Sequence, residues 1–263
     1  MTGILLADAH SAKKFAANRA LEHIDDGMRI GLGSGSTALI FVRELADAVV
    51  RNEWNVTCVS TSSSTSRVAI ELGLGLSPLN EVLHLDIAID GADEIDPGLN
   101  LVKGGGGALL QEKIVAAASE TMIVIADSSK LVESLGSFPL PVEVTRFGWK
   151  STMSRLRDFF GTSDVDGSEC KLRGGEGDPY LTDEGNFIVD ASLGRIGNPE
   201  AIAAEINCIP GVVENGLFAN IASSAIVGWP NGDVEVLSEG KCNPIMNSAA
   251  IEVGSQSAGG VHV

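Results

Sequence analysis

From about Ser11 to Asp127 the chain alternates two kinds of hydrophobic spacing. Apolar positions recurring on one helical face predict helices over Ala12–Ile24, Ala38–Val50, Ser66–Leu72 and Ala108–Ala118. Short apolar runs between them predict strands at Met28–Leu32, Val56–Ser60, Leu85–Ile89 and Met122–Ala126. Strand–helix units of this size imply an α/β fold: a Rossmann-like, mostly parallel sheet covered on both faces. Such sheets bind ligands at the carboxyl ends of their strands. The loops richest in Gly, Ser, Asp and Lys all fall at such ends: Gly33–Thr37, Ser60–Thr65, Asp90–Asp96 and Asp127–Lys130.

The pattern changes at Phe138-Pro139-Leu140-Pro141. A strand at Val142–Val144, an amphipathic helix over Lys150–Phe160, strands at Cys170–Arg173 and Asn186–Asp190, a helix over Pro199–Asn207 and a strand from Val212 to Phe218 follow. The order βαββαβ predicts a small ferredoxin-like α+β unit, inserted before the last sheet strands near Ser224–Val227 and Asp233–Leu237. The expected division is 1–137 plus 219–240 for the Rossmann-like catalytic domain and 138–218 for the inserted domain. After Lys241 the chain turns to Ser, Gly, Ala and Val without periodicity, and 241–263 is expected to be a weakly ordered tail.

Charge narrows the partners. Lys plus Arg number 18 against 35 Asp plus Glu, a net charge of −17. Nucleic acid and anionic membrane surfaces are repelled by such a chain, and no dense basic cluster opposes this. A small anionic ligand would need a few local cations. The four cysteines (Cys58, Cys170, Cys208, Cys242) show neither zinc spacing nor a disulfide framework, which suits a reducing compartment. No apolar run reaches transmembrane length and Met1–Ala9 has no secretory pattern, so a cytoplasmic protein is expected.

Gly33-Ser34-Gly35-Ser36-Thr37 follows a strand and opens a helix, so amides, hydroxyls and the helix dipole converge as in a phosphate cradle. A tight turn with an N-cap is the plainer alternative. The same loop matches GxGxxA (Gly33, Gly35, Ala38), but the second strand ends in Ser60-Thr61-Ser62 and lacks the acid that holds a dinucleotide ribose. Lys103-Gly104-Gly105-Gly106-Gly107 offers bare amides and a cation that could bind an oxyanion. Glu112 lies one turn beyond it on the next helix. Asp90 and Asp93 stand at the end of the third strand, where Asx-turn and capping roles are the alternative, and Asp96 precedes Pro97-Gly98 in a turn. Lys103 within this group of acids argues against a magnesium site. Lys130 either neutralises a ligand phosphate or pairs with Asp127; Lys13 and Lys14 read as surface lysines. The histidines have no metal spacing, and no serine has a histidine in motif range.

Taken in order, several segments resemble the ribose-5-phosphate isomerase type A family: Gly31–Thr37, Asp90–Asp96, Lys103–Lys113, Asp127–Lys130, Phe138–Val144, Thr182–Asn186 and Pro210–Phe218. The resemblance implies interconversion of D-ribose 5-phosphate and D-ribulose 5-phosphate in the non-oxidative pentose phosphate pathway, without metal or cofactor. It also implies a homodimer or homotetramer. By the family's pattern Glu112 is the catalytic base. Ser34, Gly35, Ser36, Thr37, Asp90, Gly91, Ala92, Asp93, Lys103, Gly104, Gly105 and Gly106 bind substrate, with Lys130, and Lys13 helps to hold the phosphate. The expected chemistry is proton transfer through an enediolate, with Asp90 assisting ring opening and Lys103 and the glycine amides stabilising the oxyanion. Ser34 stands where threonine is common, and Glu184 replaces a frequent asparagine. A non-catalytic sugar-phosphate sensor on the same fold and a dinucleotide-dependent oxidoreductase are the alternative functions.

Overall fold

The computed structural model describes residues 2–238 and 241–245. In chain order the elements are α1 (Thr2–Ala20), β1 (Arg29–Leu32), α2 (Gly35–Asn52), β2 (Thr57–Ser60), α3 (Ser63–Glu71), α4 (Leu79–Val82), β3 (Leu85–Asp90), β4 (Glu94–Ile95), β5 (Leu101–Val102), α5 (Leu109–Ala117) and β6 (Ser119–Asp127). Then come β7 (Leu140–Val144), α6 (Trp149–Phe160), β8 (Glu169–Leu172), β9 (Phe187–Ser192), α7 (Pro199–Asn207), β10 (Val212–Asn215), β11 (Leu217–Phe218), β12 (Ser224–Gly228), β13 (Val234–Ser238) and β14 (Lys241–Ile245).

The main sheet has the order β14-β13-β12-β6-β3-β1-β2. Its strands from β12 to β2 are parallel, and β13 and β14 close one edge antiparallel. Alternation along each strand divides its side chains between two cores. Ile30, Leu32, Ile89 and Ile125 pack with Phe41, Val42 and Leu45 of α2. Ala88, Val124 and Ala126 pack on the other face with Val115 and Ala116 of α5 and with Phe218. Each fully buried Leu, Ile or Phe contributes roughly 1.5–3 kcal/mol, enough to fix the register of the strands whose ends carry the polar loops.

The smaller sheet is wholly antiparallel with the order β10-β7-β9-β8. Leu140, Val142 and Val144 of β7 face Leu156 and Phe160 of α6 and Ile202 and Ile206 of α7. Pro141 and Glu143 therefore point the other way: a Cβ on Gly104 would meet Pro141 at 3.3 Å, and Glu143 bonds to Thr182 and Asn186. A third, three-stranded sheet has the order β11-β5-β4.

Two expectations are modified. The single strand from Val212 to Phe218 is broken at Gly216 into β10 and β11, which join different sheets. Gly216 approaches Lys103 so closely that an added Cβ would lie 2.3 Å from the Lys103 carbonyl oxygen. The segment expected as a tail begins with β14, paired with β13; residues 246–263 lie outside the described residues. Sequence periodicity also misses β4 and β5, whose two residues each are too few to show a period.

Candidate active site

The exits of β1, β3, β5 and β6 meet at one open cleft. Its wall comprises Lys13, Ser34, Gly35, Ser36, Thr37, Gly91, Ala92, Asp93, Lys103, Gly104, Gly105, Gly106, Glu112 and Lys130. The residues singled out in the sequence thus converge, with Asp90 directly behind the wall.

At one end stands the α2 N-terminus. Gly35 has φ +85°, a conformation that favours glycine, and turns the chain into the helix. Gly33 admits no side chain, because its Cβ would sit 2.1 Å from Asp90 Oδ1. The Ser34 hydroxyl pairs with Thr61 Oγ1 at 2.7 Å, and Thr65 Oγ1 donates to the Gly33 carbonyl at 3.0 Å. The Ser60–Thr65 segment therefore braces the loop. Lys13 reaches over from α1 and donates to Ser36 Oγ at 3.1 Å. Asp127 lies 3.9 Å from Lys13 and accepts from the Ser129 amide, so its ion partner here is Lys13 rather than Lys130. Two ammonium groups and a helix N-terminus make this end attractive to a dianion.

At the other end Lys103 is buried among acceptors. Its Nζ donates to the Gly91 carbonyl at 2.6 Å, lies 2.9 Å from Asp90 Oδ2, and lies 3.3 Å from Glu112 Oε2. Burial opposes its charge, but Asp90 and Glu112 outweigh burial and push the Lys103 pKa up to about 12. Asp90 Oδ1 accepts from the amides of Ser34 and Gly91, at 3.0 and 2.7 Å. The ammonium thus occupies the place a cation would take between these carboxylates.

Glu112 is 5% exposed. Its Oε2 is close enough to Lys103 for an ion pair but is not aligned as a hydrogen-bond acceptor, and among the described residues nothing else satisfies it. Burial, with Asp90 and Asp93 adding repulsion against the pull of Lys103, pushes its pKa up to about 8. A carboxyl group poised near neutrality can both take and return a proton.

Between the two ends lies the glycine loop. Gly105 donates its amide to Asp93 Oδ2 at 2.8 Å, and Gly107 closes a turn onto the Gly104 carbonyl at 3.0 Å. Gly104 and Gly107 have φ +98° and +85°. Asp96 caps its own turn, as expected, by accepting from the amides of Gly98 and Asn100.

Some contributors escape sequence reasoning. Arg173 and Tyr180, from the β8–β9 connection, bond to carbonyls of the glycine loop. Glu94 is buried and accepts from the amides of Gly136 and Phe138, holding the entry to the smaller unit. Phe218 lies beneath Lys103 and Lys113, 5.4 and 4.8 Å from its ring centre. Glu184, the departure in the small unit's turn, reaches Gln111 of α5.

Known proteins share much of this sequence and fold. The sequence model of ribose 5-phosphate isomerase A (phosphoriboisomerase A) matches residues 57–232. The ribose-5-phosphate isomerase A of Dinoroseobacter shibae is 54% identical over 225 residues, 86% of each chain. A D-ribose-5-phosphate isomerase solved in complex with phospho-erythronic acid superposes with a TM-score of 0.82 at 42% identity, covering 88% of this chain and 99% of that one. Ribose 5-phosphate isomerase from Plasmodium falciparum gives a TM-score of 0.82 at 34% identity, covering 88% and 100%. With this fold, this cleft and this extent of identity, the chain belongs to the ribose 5-phosphate isomerase A family.

Proposed function

We propose that this protein is an aldose–ketose isomerase that interconverts D-ribose 5-phosphate and D-ribulose 5-phosphate through an enediolate. The observation that carries the assignment is Glu112, buried beside Lys103 and raised to about 8, in the same cleft as the α2 N-terminus. The phosphate is assigned to Gly35, Ser36 and Thr37 with Lys13 and Lys130. Anchored there, the sugar extends toward the glycine loop and holds its reacting carbons near Glu112, an orientation effect.

In the aldose-to-ketose direction the Glu112 carboxylate takes the proton from C2. The C–H electron pair forms the C1–C2 double bond, and the carbonyl pair moves onto O1. A proton passes from O2 to O1, and Glu112 returns its proton to C1. Base help of this kind is worth about 10²–10⁴-fold. Lys103 and the glycine-loop amides stabilise the charge on oxygen; one such donor is worth about 10²–10³-fold. Asp90 stands behind the wall and bonds to Lys103, so ring opening is assigned to the Asp90–Lys103 pair acting through the ammonium. Asp93 positions the glycine loop through Gly105.

A coupled assay with ribose 5-phosphate tests the assignment, and saturable binding without turnover would favour the sensor alternative. We further propose a homodimer or homotetramer, testable by sedimentation. A reducing, cytoplasmic setting fits the free thiols of Cys58, Cys170 and Cys208.

A further inference from the structure

The smaller unit touches the reaction centre through three consecutive carbonyls. Arg173 Nη1 donates to the Gly104 carbonyl at 3.0 Å and to the Gly105 carbonyl at 3.1 Å. Tyr180 Oη donates to the Gly106 carbonyl at 3.1 Å. The remaining guanidinium nitrogens are held by Asp190, with Nε 2.9 Å from Oδ2 and Nη2 bonded to Oδ1. The guanidinium also lies over the Tyr180 ring, 5.7 Å from its centre. Thr182 and Asn186 fix the far side of this hairpin by donating to Glu143 Oε1, at 2.9 Å each. A Cβ at Gly107 would lie 2.3 Å from the Tyr180 oxygen, so glycine there lets the tyrosine close onto the loop.

A trans peptide points its N–H away from its C=O, and no peptide in the described chain is cis. Each anchored carbonyl therefore aims the amide of the following residue to the opposite side. The Gly104 carbonyl aims the Gly105 amide, which goes to Asp93. The Gly106 carbonyl aims the Gly107 amide, which closes the turn. The Gly105 carbonyl aims the Gly106 amide, and Gly106 lines the cleft. Among the described residues nothing accepts from that amide.

We propose that Arg173, oriented by Asp190, and Tyr180 are positioning residues for the isomerisation: they hold the glycine loop by its carbonyls so that the Gly106 amide faces the developing oxyanion. The inference rests on the isomerase assignment above. It gives the inserted unit a part in the chemistry without contact with substrate.

The test compares Arg173→Lys, Arg173→Met and Tyr180→Phe with wild type. Lysine keeps the charge but cannot bridge two carbonyls and Asp190 together. Tyr180→Phe keeps the ring and removes only the donor. Initial rates with ribose 5-phosphate give kcat and KM. Competitive inhibition is measured with phospho-erythronic acid, whose carboxylate probes the oxyanion position, and with inorganic phosphate, which probes only the anchor. The Arg173 variants should lose about 10- to 100-fold in kcat, since misplacement by about 1 Å costs about 10²-fold. KM and phosphate inhibition should stay within about twofold, and phospho-erythronic acid should weaken in step with kcat. Tyr180→Phe should show the same pattern, smaller. Wild-type kcat in Arg173→Met and Tyr180→Phe, or equal weakening of both inhibitors, would overturn the proposal. If wild type itself fails to turn over ribose 5-phosphate, the isomerase assignment falls. The ratio of the two inhibitors' affinities, compared between variant and wild type, still decides the positioning role.

Discussion

Lys103 Nζ stands 3.3 Å from Glu112 Oε2 yet gives it no aligned hydrogen bond. The ammonium donates to the Gly91 carbonyl at 2.6 Å and stands 2.9 Å from Asp90 Oδ2, so one cation serves two buried carboxylates. Burial, with repulsion from Asp90, outweighs the pull of Lys103 and keeps Glu112 near neutrality instead of locking it as a carboxylate. Glu112→Gln should therefore abolish turnover by about 10²–10⁴-fold while making the protein more stable. The sign follows from the raised folded-state value. Glu112 binds its proton more tightly in the folded chain, so wild type loses stability as pH rises from 4.5 to about 8. Glutamine has no such loss. The gain in Tm of Glu112→Gln should grow across that window and level off above it; a difference that does not change with pH would contradict this account.

The rate itself should follow the same group. Proton abstraction needs the carboxylate, so kcat/KM should rise with pH through a group of pKa about 8 and flatten above it. A profile already flat from pH 6 upward would remove the case for burial-tuned catalysis.

Asp90→Asn separates the two carboxylates. Asp90 repels the Glu112 charge and shares Lys103 with it. Without the Asp90 charge, the ammonium turns to Glu112 and the acid limb of kcat/KM should move below 8, with turnover reduced. An acid limb that stays in place would show that burial alone sets the Glu112 value.

Glycines of the two loops should respond unequally to alanine. Gly33→Ala drives a Cβ into Asp90, with the backbone Cα only 2.6 Å away, and should cost about 1–3 kcal/mol or more. Gly106 has open space around its Cα, so Gly106→Ala should unfold at the wild-type denaturant concentration. Matching losses in the two variants by chemical denaturation would refute this reading of the packing.

Lys13→Ala and Lys130→Ala should raise KM and weaken inhibition by inorganic phosphate, with kcat changed much less, because the phosphate lies away from the reacting carbons. Both effects should shrink as salt is added. A loss confined to kcat would place these lysines elsewhere in the mechanism.

The main sheet and its loops were legible in the sequence because strand exits interrupt a strong hydrophobic period with glycines, hydroxyls and acids. Glu112 could be located by its distance from the glycine loop. Arg173 and Tyr180 could not: each sits in an ordinary polar hairpin, and only the packing of that hairpin on Gly104–Gly106 gives it a role. Glu94 was hidden for a similar reason. Among Asp93, Glu94 and Asp96 it looks like one more surface acid, and only burial against Gly136 and Phe138 distinguishes it. Lys13 reads as a surface lysine from its own helix and was singled out only by the family resemblance; the fold sets it over Ser36.

The Lys103 amide donates to the Gly216 carbonyl at 2.9 Å, and β5 finds its partner in β11. The segment presenting Lys103 is thus framed by chain made more than a hundred residues later. During synthesis β1, β2, β3, β6 and both glycine loops emerge first, but the hydrogen bond from Lys103 and the pairing of β5 with β11 wait for the chain to return through Gly216. A ribosome-bound or truncated fragment ending before that point carries every reactive side chain and should still be inert.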